Sequence, residues 1–90
     1  MTSGPASGAL ELFVRPGCSH CEAARRHLER CGRPFEERDV TVDVDALQRL
    51  IWLTGRGAVP AIAVGRRILV GYDETALDDL LLAEPAVGEE

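Results

Sequence analysis

Ninety residues, 46% apolar and 28% charged, suffice for one compact core and are too few for two. The formal net charge is −5 and all ten basic residues are Arg, with no face-long basic run, so nucleic acid is not an expected partner. No apolar stretch approaches the roughly 20 residues of a membrane-spanning helix. Met1 to Gly8 has neither a positive start nor an apolar stretch, and so does not read as a signal peptide. A cytoplasmic monomer without membrane association is expected. In a reducing compartment, three cysteines do not read as a structural disulfide framework; a close pair there points to redox exchange or metal binding.

Residues 1–8 read as a flexible N-terminus, 9–83 as a single domain, and 84–90 as a flexible acidic tail. Leu10, Leu12 and Val14 alternate with Glu11 and Phe13, the period of a strand, which Pro16 and Gly17 end. A helix is expected from about Ser19 to Cys31, with Gly32 as its left-handed stop and Pro34 beyond. Cys21, Ala24, Leu28 and Cys31 are assigned to its apolar face, while Glu22, Arg25, Arg26 and Glu29 lie away from it. Phe35 to Val40 reads as a polar strand suited to a sheet edge.

Asp43 or Thr41 can cap a second helix whose shared face is Val44, Leu47, Leu50, Ile51 and Thr54, ending at Gly55. Ala61–Val64 and Arg67–Val70 flank Gly65-Arg66, a two-residue hairpin signal. Ala76, Leu77, Leu80 and Leu81 mark a last helix, with Asp73 or Thr75 near its start. The Arg residues in 25–30 and 66–67 read as solvated surface. The order βαβαββα predicts an α/β fold, a four-stranded mixed sheet flanked by helices.

Cys18-Ser19-His20-Cys21 falls where the first strand gives way to the first helix. A thiol at a helix N-terminus meets free backbone N–H groups and the positive end of the helix dipole, both of which favour the reactive thiolate. Cys18 is therefore the expected low-pKa nucleophile. Cys21, one turn inward, is the expected resolving thiol. Side chains three apart on a helix lie about 5–6 Å from each other, so the pair can close with small adjustments.

His20 as a cation would stabilise the thiolate further and make the disulfide more oxidising, although the helix dipole opposes that charge; the other reading is an exposed turn residue. Ser19 can cap the helix or donate to the thiolate. A lone C-x-x-C is also half a zinc site, but His27 lies about 120° around the helix from Cys21. Cys31 is about 15 Å along it. Neither closes a site with the pair inside one chain, and no metal is expected. Cys31, placed on the apolar face, reads as a buried spectator.

With these pieces the sequence resembles the glutaredoxin family of the thioredoxin fold over about residues 9–83. The likeness is carried by Phe13-Val14-Arg15-Pro16-Gly17-Cys18, Cys18-Ser19-His20-Cys21, Thr54-Gly55-Arg56-Gly57-Ala58-Val59-Pro60 and Val70-Gly71-Tyr72-Asp73. The resemblance implies a dithiol thiol–disulfide oxidoreductase with no tightly bound cofactor, acting on disulfide-bearing proteins. It implies that Pro60 is cis and that Val59 offers its backbone to the substrate. By the same likeness Arg15, Ala58, Val59, Pro60, Gly71, Tyr72 and Asp73 line a site for glutathione or another low-molecular-weight thiol. Asp73 there meets the γ-glutamyl amine; a plain helix cap is its other reading.

The sequence departs from the family pattern at Ser19-His20, where Pro-Tyr is usual, at Ala58 for Thr, and at Gly57 for a basic residue that Arg56 could replace. These departures keep open a different small thiol, or a glutaredoxin-like electron donor reduced directly by thioredoxin reductase. A metal or iron–sulfur carrier and a redox-sensing interaction domain are the other classes; family iron–sulfur carriers mostly have a single active-site cysteine.

Overall fold

A computed structural model describes residues 10–65 and 67–83 of the chain. The elements run β1 (Leu10–Val14), α1 (Ser19–Cys31), β2 (Phe35–Asp39), α2 (Val44–Thr54), β3 (Ala61–Val64), β4 (Arg67–Val70) and α3 (Glu74–Ala83). This is the βαβαββα order read from the sequence. The termini expected to be flexible, 1–8 and 84–90, lie outside the described residues, as does Arg66 of the hairpin. Among the described residues no helix is long and apolar enough to cross a membrane.

The sheet order is β2-β1-β3-β4. β1 pairs parallel with β2, Leu10 opposite Phe35, and antiparallel with β3, Leu12 opposite Ile62. β3 pairs antiparallel with β4, Ala61 opposite Val70. The polar strand β2 lies on the edge, as its composition requires. The central strands are buried on both faces, and alternation sorts their side chains between two cores.

Leu10, Leu12, Val14, Ile62 and Val64 pack with Cys21, Ala24 and Leu28 of α1 and Leu77 and Leu81 of α3. Phe13, Ala61 and Ala63 face the other way, against Ala46 and Leu50 of α2. Asp43 caps α2 by accepting from Ala46 N at 3.1 Å, and Gly55 stops the helix at φ 81°.

The buried line of α2 differs from the face read in the sequence. Ala46 and Leu50 are buried, flanked by Leu47 and Leu53, whereas Val44 and Ile51 are exposed. Small Ala61 and Ala63 make the sheet surface shallow there, so small Ala46 approaches it while Val44 and Ile51 turn outward. Cys31 also departs from expectation: it is exposed, not buried. It closes the last turn of α1 just before Gly32, which is left-handed at φ 71°, and projects past the core that Leu28 fills.

Candidate active site

β1 ends at Val14, and Gly17, at φ 77°, turns the chain through a backbone conformation that L side chains rarely adopt. The turn delivers Cys18 still extended, at φ −100° and ψ 109°, with Ser19 already helical. Cys18 is therefore the N-cap of α1, in place of the cap sought at Ser19. Its Sγ accepts from Cys21 N at 3.2 Å. Ser19 and His20 are exposed on the first turn. His20 makes no hydrogen bond to either thiol among the described residues.

Cys21 is 1% exposed, beneath the first turn. Burial is the main cause that pushes its thiol up to about 11 from the ordinary 9.0. Its hydrogen bond to Cys18 raises it further, and a backbone hydrogen bond from Arg15 opposes both. Cys21 thus remains protonated at neutral pH, behind a half-exposed Cys18. Arg15 itself is exposed.

The Val59-Pro60 peptide bond is cis, and Pro60 is fully buried. Ala58 and Val59 are half-buried before it. The Thr54 hydroxyl lies 2.8 Å from Leu50 O and 2.7 Å from Arg56 O, and accepts from Arg56 N at 3.2 Å, which fastens the start of this loop to α2. Gly71, at φ 90°, donates its N–H to Pro60 O at 2.7 Å. That bond ties the turn after β4 to the proline.

Cys18, Val59 and Tyr72 all border the core under α1 and α3. The fold thus sets Cys18 against the same core as two residues more than 40 positions further along the chain. Asp73 is exposed and caps α3, accepting from Ala76 N at 3.2 Å.

The sequence model of the Glutaredoxin family matches residues 10–69. The chain belongs to the glutaredoxin family. Several solved structures share its fold. A glutaredoxin from Archaeoglobus fulgidus superposes at TM-score 0.75, with 22% identity over 82% of this chain and 86% of its own. The NrdH-redoxin of Escherichia coli, whose structural study describes a thioredoxin-like activity profile, gives 0.70 with 24% identity over 80% and 93%. A buckwheat glutaredoxin–glutathione complex gives 0.67 with 23% identity over 86% and 76%. A glutaredoxin fold supports thiol–disulfide oxidoreduction in general.

Around Cys18 and Cys21 of this glutaredoxin, the structure adds residues that sequence reasoning missed. An open pocket of about 340 Å³ beside Cys18 is lined by Gly17, Ser19, Glu22, Ala23 and Arg26. Cys18, Glu22 and Arg26 are four apart along α1, a spacing that marks one helix face and could have flagged the pocket. Glu22 and Arg26 lie 3.8 Å from each other, an exposed pair of little energetic weight.

A second missed group lies at the far end of α1. Buried His27 places Nδ1 2.9 Å from the Tyr72 hydroxyl and Nε2 2.7 Å from Asp78 Oδ1. Its partners are 45 and 51 residues away in sequence, so no local pattern announces them.

Proposed function

We propose that this glutaredoxin is a dithiol thiol–disulfide oxidoreductase with Cys18 as nucleophile and Cys21 as resolving thiol. The observation that carries the reading is the Cys18 N-cap, its sulfur half-exposed over a buried, protonated Cys21. Backbone N–H groups of the first turn of α1 are positioned to receive the charge of an attacking sulfur.

The Cys18 thiolate attacks one sulfur of a substrate disulfide; an S–S bond forms to Cys18 and the other substrate sulfur leaves as a thiolate. Cys21 then loses its proton and attacks Cys18 Sγ. The Cys18–Cys21 bond forms, the remaining substrate thiolate departs, and two electrons have passed to the substrate. Reduction of the new disulfide by an external thiol or a reductase closes the cycle.

Glutathione is the proposed co-substrate, along a groove from Arg15 over Cys18 and Val59 to Gly71–Asp73. The fold shared with a glutathione-bound glutaredoxin and the exposure of Arg15 and Asp73 support it. The second reading is a cytoplasmic electron donor reduced directly by thioredoxin reductase. It is favoured by Ser19-His20, Gly57 and Ala58 and by the fold shared with NrdH-redoxin.

Steady-state reduction of a disulfide peptide, driven in parallel by glutathione with its reductase and by thioredoxin reductase, both with NADPH, separates the two. Cys18→Ser is expected to abolish turnover in whichever arm is active. Cys21→Ser is expected to spare exchange with small glutathionylated substrates and stop reduction of protein disulfides. Turnover that survives Cys18→Ser would sink the assignment.

A further inference from the structure

We propose that His27, Cys31 and Asp78 form a metal site at the seam between α1 and α3, one that takes Zn²⁺ with a water in the fourth position. His27 and Cys31 are four apart on α1, one turn from each other on the same side of the helix. Asp78 reaches across from α3. Their donor atoms, one from each residue, all lie within 4.8 Å of one another. A nitrogen, a thiolate sulfur and a carboxylate oxygen are a characteristic zinc donor set, whereas Ca²⁺ and Mg²⁺ seek more oxygens than this seam offers.

The histidine is already oriented for ligation. His27 is 3% exposed, and both ring nitrogens have polar partners. A metal at Nε2 requires the proton on Nδ1, which then donates to the Tyr72 oxygen 2.9 Å away. Such a partner on the second nitrogen fixes tautomer and ring angle in most histidine-ligated sites. At present Asp78 Oδ1 occupies the metal's place beside Nε2, at 2.7 Å.

Tetrahedral zinc with bonds of about 2.0–2.3 Å holds its donors roughly 3.3–3.7 Å apart. The carboxylate must therefore retreat by somewhat less than an ångström, and the widest separation must close by about one. Cys31 and Asp78 are both exposed and can swing, while His27 stays. One thiolate and one carboxylate neutralise the ion's charge. The exposed side leaves room for water.

A bound ion would pin the end of α1 to α3 and shelter an exposed thiol from oxidation. It would also fix Tyr72, which borders the same core as Cys18, through its bond to His27. The dithiol is the obvious competitor for metal, so the test removes it first.

In the full chain carrying Cys18→Ser and Cys21→Ser, Co²⁺ titration is expected to give one ion per chain. The expected signature is a sulfur-to-cobalt charge-transfer band with the strong visible bands of tetrahedral cobalt, both erased by Zn²⁺. Adding Cys31→Ser should remove the charge-transfer band. Adding Asp78→Asn instead should keep that band while weakening the apparent affinity by about tenfold or more. Both substitutions are at exposed positions, and circular dichroism checks that each variant is folded. The proposal is overturned if no charge-transfer band appears, if the band survives Cys31→Ser, if affinity is unchanged in Asp78→Asn, or if one ion is bound per two chains.

Discussion

Ionising Cys21 would place a charge where a 1% exposed side chain has no water, next to a second sulfur to which its thiol is bonded. Both causes act in the folded chain alone, so this thiol couples folding to pH. Its unfolded counterpart ionises near 9.0 and the folded one near 11. Raised on folding, it leaves stability whole below about pH 9, and stability then falls as pH rises through about 11. The loss is on the order of 2 kcal/mol. Urea unfolding of the reduced protein at pH 8 and pH 10.5 measures it, with Cys21→Ala as the reference. The wild type should lose more stability across that interval than the variant. Parallel losses would mean that burial does not hold this thiol in its neutral form.

The same burial protects Cys21 from reagents that need a thiolate. Exposed Cys31 has no such shelter. Its exposure was not legible in the sequence, because helical spacing places it near the apolar side of α1 without saying where the core ends. Cys21, Ala24 and Leu28, earlier on that side, are buried as their spacing implied.

Among the elements, β1 carries a charge that its strand pattern leaves unexplained. Glu11 is 4% exposed on the α2 face of the central strand. It accepts from Arg38 Nε of β2 at 3.0 Å and from Arg49 Nη2 of α2 at 2.7 Å. One carboxylate thus joins three elements, and Arg38 also lies 3.8 Å from the cap residue Asp43. Glu11→Gln keeps the shape and removes the charge. The ion pairs with Arg38 and Arg49 are lost and one carboxylate oxygen becomes an amide nitrogen that cannot accept, while both arginines are open enough to turn partly to water. The expected cost is about 1.5–3 kcal/mol, read as a lower urea midpoint with an unchanged slope. A variant as stable as wild type would reduce the cluster to surface decoration.

Element order and most boundaries were legible because strand alternation, helix periodicity and the stops at Gly32 and Gly55 each act locally. The Glu11 cluster was not, since its partners lie 27 and 38 residues away. The face of α2 was misjudged for a related reason. The face read from the sequence, Val44, Leu47, Leu50, Ile51 and Thr54, shares Leu50 with the buried line and Leu47 with its flank, but helix position is set by what fits the opposing sheet. Ala61 and Ala63 there accept a small residue. Periodicity shows that a helix is amphipathic; the partner surface decides which adjoining stripe is buried.

At the scale of the whole molecule, the candidate site is assembled from three connections: the turn into α1, the loop into β3 and the turn into α3. The place of Cys18 and Cys21 at the strand-to-helix junction was legible because its signal is contiguous. The relation of Asp73 to it rests on sheet pairing, which sets Val70 opposite Ala61, and on the bond from Gly71 N to Pro60 O. Asp73 already caps α3, so a binding role must be distinguished from that structural one. Asp73→Asn retains an oxygen that can accept from Ala76 N but loses the charge that would meet a γ-glutamyl amine. Asp73→Ala loses both. If the groove holds glutathione, both variants should raise KM for a glutathionylated peptide by about ten- to a hundred-fold, the worth of one charge-assisted bond. Only Asp73→Ala should also lose the roughly 0.5–2 kcal/mol of a helix cap in thermal or urea unfolding. Because the amine lies away from the reacting sulfur, kcat should change far less than KM. An effect confined to Asp73→Ala and tracking its instability would leave Asp73 as a cap. An unchanged KM in both would do the same, and direct reduction by thioredoxin reductase would then be the better account of how this glutaredoxin is recharged.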